Sequence, residues 1–294
     1  MPGEPRPDAL HRTPPLVTEP TPRPAAAPEH RRAGLRGRHT TEHAPTLHVH
    51  HFQDAFGRAP APRSADVSGG ITSWGMLGND ELRDCGPAAT AHARMLKAVI
   101  EPGTTAAPPR FEASFVQPTT EAVTAQYFAY GIAQGQPGPN PDHGVNNARW
   151  LAWLFSQGLI EAYAEIDLTG PDARARVRRA MVDFGGVLLG IGLTSDAEQC
   201  FESHEPWTLE HGHPSNPGNG HDVLLVAYDD AGDTLVTWGA LQRSTIPFDH
   251  ACFEEAWVIV TSEDAARSGF DLEGARAAIA EHIDGLSTPT APPS

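Results

Sequence analysis

The sequence predicts an α+β fold in which a helical region precedes an antiparallel sheet. Apolar residues recur at helical spacing in several segments between residues 85 and 184. From residue 185 onward the pattern changes to short apolar runs that are typical of strands. Helices followed by a group of strands are characteristic of α+β proteins rather than of wound parallel sheets.

Four helices are predicted before the sheet. The first begins at Cys85, because Asp84 occupies the N-cap position and Pro87 falls in the first turn, where its missing N–H costs nothing. Loops rich in proline and glycine separate it from the others. The remaining predicted helices cover residues 119–133, 144–158 and 172–184.

Four strands are predicted after these helices. The run GGVLLGIGL at 185–193 is apolar throughout, which indicates a buried strand. Residues 221–230 and 233–240 form a predicted hairpin, because a glycine at position 232 can supply the left-handed turn residue. The last strand is predicted at 254–262.

Composition divides the chain into three regions. Residues 1–66 are rich in Pro, Ala, Arg and His, and we expect a disordered arm because such a stretch buries little apolar surface. Residues 67–262 form the predicted folded domain. Residues 263–294 are predicted to form one C-terminal helix followed by a Pro/Thr/Ser tail. The arm contains LHVHHF, which we interpret as a solvated histidine-rich tract rather than a metal site.

Charge and hydropathy exclude several classes of partner. The formal charge of −16 argues against nucleic acid or an anionic membrane as the main partner. No apolar run is long enough to cross a membrane, and the first residues lack the apolar centre of a signal peptide. We therefore expect a cytoplasmic protein, with export by another route left open. Three cysteines indicate a reducing compartment, or one disulfide and one free thiol.

Cys85 is the candidate nucleophile. A thiol at the start of a helix has its thiolate favoured by the helix dipole, and the free amides there can hold an oxyanion. Asn79, six residues upstream, is a candidate second oxyanion donor. Asp84 beside the thiol opposes the thiolate if its carboxylate is charged. The alternative interpretation of Cys85 is a small buried residue at a helix start.

His221 is the candidate base. It heads an apolar predicted strand, and the following strand returns Thr237 or Val236 to its side. A histidine held in this way can accept the thiol proton and later protonate a leaving amine. A lone histidine at a strand start is more often structural, so the prediction depends on its combination with Cys85.

The segment Asp84-Cys85-Gly86-Pro87-Ala88-Ala89 resembles the nucleophile motif of bacteriocin-processing cysteine peptidases. The order of elements resembles the wider papain-like superfamily: a donor six residues before the cysteine, a nucleophile helix, a helical lobe, a strand headed by His221, and a hairpin with Trp238-Gly239. The resemblance covers residues 67–262 and is dense around 74–90 and 220–240. It implies a papain-like fold with a nucleophile helix packed on an antiparallel sheet. We expect no cofactor and no metal.

The chain departs from the superfamily at two positions. Asn79 stands where the superfamily usually has the longer glutamine. The third catalytic member is usually Asn or Asp, whereas spacing from the histidine gives Thr237 here and spacing from the tryptophan gives Val236. We take Thr237 as the orienting residue, with Asp222 and Asp229 as further alternatives.

The resemblance also implies a substrate cleft and a reaction. Trp74 and Trp238 flank the two motifs, and Gly144 stands where papain-like enzymes have a glycine-lined wall, so these three are candidate substrate-binding residues. The expected function is a cysteine-type peptidase or amidohydrolase that acts on a peptide or protein substrate through an acyl-enzyme. The alternatives are acyl transfer and a non-catalytic papain-like binding or structural module.

Overall fold

The computed structural model describes residues 47–53, 56, 60–68, 71–100, 118–210 and 220–287. Within these ranges, strands pair into one antiparallel sheet and helices pack against it, which confirms the α+β class. The helices are α1 (Val49–Phe52), α2 (Cys85–Ile100), α3 (Thr120–Ala133), α4 (Asn147–Ser156), α5 (Ala173–Phe184), α6 (Ala197–Glu202), α7 (Ile246–Cys252), α8 (Ser262–Ser268) and α9 (Leu272–Ser287). The strands are β1 (Ala65–Asp66), β2 (Ala162–Glu165), β3 (Val187–Gly192), β4 (Gly220–Tyr228), β5 (Gly232–Thr237), β6 (Ala240–Thr245) and β7 (Phe253–Val260).

The sheet has the order β2-β7-β3-β4-β5-β6, and β1 pairs with the end of β4. The four predicted strands correspond to β3, β4, β5 and β7, while β2 and β6 were not predicted. β4 lies between β3 and β5, and α2 packs against it. This arrangement brings the start of the predicted nucleophile helix to the strand headed by His221.

Local signals explain several element boundaries. Asn146 caps α4 by accepting a hydrogen bond from the Arg149 amide at 3.1 Å. Helix α5 ends at Gly185, whose φ of 65° is left-handed and therefore favours glycine. Asp229 closes the β4–β5 turn, because its Oδ1 accepts the Ala231 amide at 2.8 Å.

The folded part begins earlier in the chain than the expected boundary at residue 67. Val49 in α1 is fully buried, and Leu47 accepts a hydrogen bond from the Glu165 amide at 2.7 Å. Residues 65 and 66 form β1 against β4. Residues 47–49 and 65–66 therefore belong to the folded domain, because their apolar side chains and backbone groups find partners there. The average composition of the first 66 residues does not reveal these partners. The expected disorder of residues 1–46 lies outside the described residues.

The C-terminal region also differs from the expected single helix at 263–284. The chain forms α8 and then α9, separated by Gly269 in the left-handed conformation with φ 73°. Ile279 in α9 is fully buried, and Asp264 in α8 forms a buried ion pair with Lys97 of α2. Both helices therefore contribute to the core, and the domain does not end at residue 262. The predicted tail after residue 287 lies outside the described residues.

No helix in the described part of the chain has the length and apolar character that crossing a membrane requires.

Candidate active site

Cys85 is the first residue of α2, and its thiol lies against the start of β4. Its Sγ is 3.5 Å from Oδ2 of Asp222, and only 4% of the residue is exposed. Gly86 permits this close approach. A Cβ at that position would lie 2.5 Å from Cγ2 of Val145 and 3.1 Å from the Asp222 carboxylate. Any side chain at residue 86 would therefore collide with Val145 in the loop before α4 and crowd the Asp222 carboxylate.

His221 is held by the turn that follows β5. Its Nε2 is 2.7 Å from Oγ1 of Thr237, and its ring stacks on Trp238 with centroids 4.9 Å apart. Trp238 has a left-handed φ of 45°, which turns the chain so that its indole covers the imidazole. The imidazole is fully buried. The contacts with Thr237 and Trp238 therefore fix the position of the imidazole.

Strand register separates the alternatives for the orienting residue. Val236 pairs with Leu224 in the β4–β5 ladder, so its neighbour Thr237 points to the opposite face of the sheet. Thr237 is the residue that meets the imidazole. Asp229 does not lie near His221, because it sits at the other end of β4 and binds Arg243 at 2.8 Å.

Asp222 follows His221 on β4, so their side chains point to opposite faces of the sheet. The Asp222 carboxylate contacts Cys85, whereas the imidazole of His221 contacts Thr237. Asp222 is therefore not the residue that orients the imidazole. The Cα atoms of consecutive residues are about 3.8 Å apart. α2, which begins at Cys85, and the start of β4, which includes His221, therefore meet through the contact between Cys85 and Asp222.

Asn147 is a site residue that the sequence analysis missed. Its Nδ2 donates to Oδ1 of Asp222 at 2.7 Å, and the residue is buried at the first position of α4. The preceding Asn146 is the helix cap. The sequence signal for this residue is the pair Asn146-Asn147. Only the first asparagine is needed to cap the helix, so the second is available for another polar contact.

Asp84 is uncharged over much of the neutral range. Its side chain is fully buried, and burial raises its pKa to about 8, although a nearby Asn79 amide opposes part of this shift. The charge that would oppose a thiolate at Cys85 is therefore largely removed at neutral pH. Asn79 is buried, and its Nδ2 also donates to the Leu82 carbonyl at 3.4 Å. Its role as an oxyanion donor remains a prediction.

The two candidate substrate-binding tryptophans belong to segments that meet. Gly75 forms a β-bridge with Gly239, which brings the Trp74 segment beside the Trp238 turn. His92 supports this junction, because its Nε2 is 3.0 Å from both the Trp74 and Gly75 carbonyls. Burial lowers the pKa of His92 to about 4, so at neutral pH it is an uncharged donor. Both indoles are buried, and their contact with substrate remains a prediction.

Gly144 lies in the loop before α4 with a left-handed φ of 77°. Its amide donates to the Tyr127 hydroxyl at 2.7 Å, and that hydroxyl donates to Asp142 at 2.9 Å. The neighbouring Val145 reaches the start of α2. The loop is therefore fixed close to the nucleophile helix, although the substrate role of Gly144 is untested.

Cys200, Cys252 and the histidines at positions 48, 50 and 51 lie outside α2 and β4. None of the three cysteines, all of which the structure describes, forms a disulfide. Burial raises the pKa of Cys252 to about 12 and, with Asp196, raises that of Cys200. His48, His50 and His51 contact one another, with ring centroids 4.3–5.6 Å apart. Over the described residues, no three His, Cys, Asp or Glu side chains are arranged to hold a metal ion.

Comparison with solved structures identifies the fold. The chain is similar to xylellain, a cysteine protease from Xylella fastidiosa, with a TM-score of 0.54 and 10% sequence identity. The match covers 81% of this chain and 99% of xylellain. Neither protein-family models nor curated protein sequences give a match. At this identity the likeness shows a shared fold, which supports the papain-like architecture that the sequence resemblance implies.

Proposed function

We propose that this protein is a cysteine-type peptidase or amidohydrolase, with Cys85 as nucleophile and His221 as base. One observation carries the proposal. The thiol at the start of α2 packs on the start of β4, where Thr237 and Trp238 fix the imidazole. The similarity in fold to a cysteine protease supports it.

In the proposed reaction the imidazole accepts the Cys85 proton and the thiolate attacks an amide carbonyl. The same imidazole then protonates the leaving amine, and water hydrolyses the thioester. Nε2 contacts Thr237, so Nδ1 is the ring nitrogen proposed to exchange the proton with the thiol. Because the thiol contacts Asp222 and successive side chains of a strand point to opposite faces, this exchange requires the imidazole to turn toward α2. The amides at the start of α2 and the Asn79 side chain would stabilise the oxyanion. No step requires a cofactor or a metal ion.

The proposed substrate is a peptide or protein amide. Trp74, Trp238 and Gly144 are the proposed binding residues, because their segments border the meeting point of α2 and β4. The charge of −16 disfavours nucleic acid.

An electrophilic peptide probe followed by peptide mapping tests this function. We expect selective modification of Cys85 over Cys200 and Cys252, which is abolished by Cys85→Ser and reduced at least about a hundredfold by His221→Ala, the usual size of a general-base contribution. Cys200→Ser is the matched control and should leave the labelling unchanged. Equal modification of all three cysteines, or undiminished labelling without His221, would contradict the proposal.

A non-catalytic papain-like binding module is the second candidate. It is favoured by the burial of Cys85, His221 and Asp222, of which 4%, 0% and 3% are exposed, and by a threonine where an amide or acid usually stands. Such a module would leave the probe unreacted. Acyl transfer uses the same Cys–His pair, and an amine added to the assay would reveal it as a new amide product.

A further inference from the structure

The Asp222 carboxylate connects the candidate nucleophile to α4. Its Oδ2 is 3.5 Å from the Cys85 sulfur, and its Oδ1 accepts a hydrogen bond from Asn147 at 2.7 Å. Both Asp222 and Asn147 are buried, with 3% and 2% exposed. The amide donor orients the carboxylate so that its other oxygen faces the thiol.

The carboxylate also lies at the start of α2, where a helix favours an anion. It would be 3.1 Å from a Cβ on Gly86 in the first turn. A thiolate at Cys85 would need the same favourable potential.

Three other titratable groups lie near the Asp222 carboxylate, and they differ in charge. Asp84, next to the thiol, is largely uncharged at neutral pH because burial raises its pKa. From β7, Glu254 reaches Gly192, which pairs with Gly220 at the start of β4. His221 is the neighbouring group whose protonated form would compensate a negative charge.

We propose that Asp222, held by Asn147, keeps Cys85 as a protonated thiol in the resting protein and thereby restrains the nucleophile. This inference rests on the proposed function and adds a control on its reactivity. The thiol donates its hydrogen to the carboxylate, and forming a thiolate would place two anions 3.5 Å apart. Asp222 is thus a positioning residue, since a carboxylate is too weak a base to remove the thiol proton efficiently.

The test is the pKa of Cys85, measured by NMR from the Cβ chemical shift in cysteine-labelled protein. Cys85→Ser identifies the signal, and the measurement requires neither substrate nor access to the buried sulfur. We expect Asp222→Asn to lower this pKa by about one unit or more, since it removes an adjacent like charge. Asp230→Asn, which removes the same charge at an exposed position of the β4–β5 turn, should not change it.

The same variant should react faster with iodoacetamide at neutral pH. About tenfold more thiolate gives only about a threefold higher rate, because nucleophilicity falls as the thiol pKa falls. Asn147→Ala removes the donor that orients Asp222. Like Asp222→Asn, it should lower the Cys85 pKa. It provides the test if Asp222→Asn does not fold.

A Cys85 pKa that stays the same or rises in the folded variants overturns this inference, even if the wild-type protein hydrolyses peptides. A lowered pKa with no hydrolysis by any variant supports the restraint and removes the peptidase proposal instead. The two failures are therefore distinguishable.

Discussion

Replacing Asp84 with asparagine should stabilise the protein, and the gain should increase with pH. Asp84 is buried, and among the described residues its carboxyl oxygens form no hydrogen bond of ordinary geometry. Burial raises its pKa from 3.8 to about 8. Asparagine has nearly the same shape and carries no charge, so it removes the cost of burying a carboxylate.

The magnitude follows from the two pKa values. Because the folded protein binds this proton more tightly than the unfolded chain, folding loses stability as pH rises between about 4 and 8. Each pH unit in that window costs about 1.4 kcal/mol. The cost is about 1.5 kcal/mol at pH 5 and about 4 kcal/mol at pH 7, and it disappears below pH 4.

Urea unfolding of the wild type and of Asp84→Asn at these two pH values measures the effect. The stability difference between them should be about 2–3 kcal/mol larger at the higher pH. Asp249 and Glu165 also have raised pKa values, but both proteins share them, so their contributions cancel. The exposed variant Asp230→Asn is the control for a change in net charge. A difference that does not change with pH would refute the argument that Asp84 is a buried neutral acid.

Two further predictions concern the segment before residue 67 and the remaining thiols. Val49→Ala should lower the free energy of unfolding by about 2 kcal/mol, because the side chain is fully buried; an unchanged urea midpoint would show that residues 47–53 do not pack on the domain. Replacing Cys200 and Cys252 together by serine should keep peptide hydrolysis within about tenfold of wild type, or about 1.4 kcal/mol in the barrier. A larger loss would assign the nucleophile to one of them.

The regular elements were predictable where a local pattern was strong. The apolar run in β3 and the periodic run in α2 correspond closely to the observed elements, because each reports burial of its own segment. β6 was missed because its sequence, ALQRST, is largely polar, and its place in the sheet comes from pairing with β5. Leu47 and Val49 were missed because they lie in a stretch whose average composition indicates disorder.

The sequence by itself determined that Cys85 opens a helix and that His221 lies at the start of a strand. Asp84 and Pro87 favour a helix start, and an aliphatic run follows the histidine, so both signals are local. Only the tertiary structure decided which groups surround the thiol. Cys85 and Asp222 are 137 residues apart in the chain, and no local pattern indicates that they meet.

Register and burial account for the rest. A shift of one residue in the β4–β5 ladder would have turned Val236 instead of Thr237 toward the imidazole, and sequence spacing alone allowed both. Whether Asp84 is charged depends on its removal from water by surrounding segments. A sequence specifies the residue type at each position, but the environment that sets its contacts and its protonation state exists only after distant segments pack together.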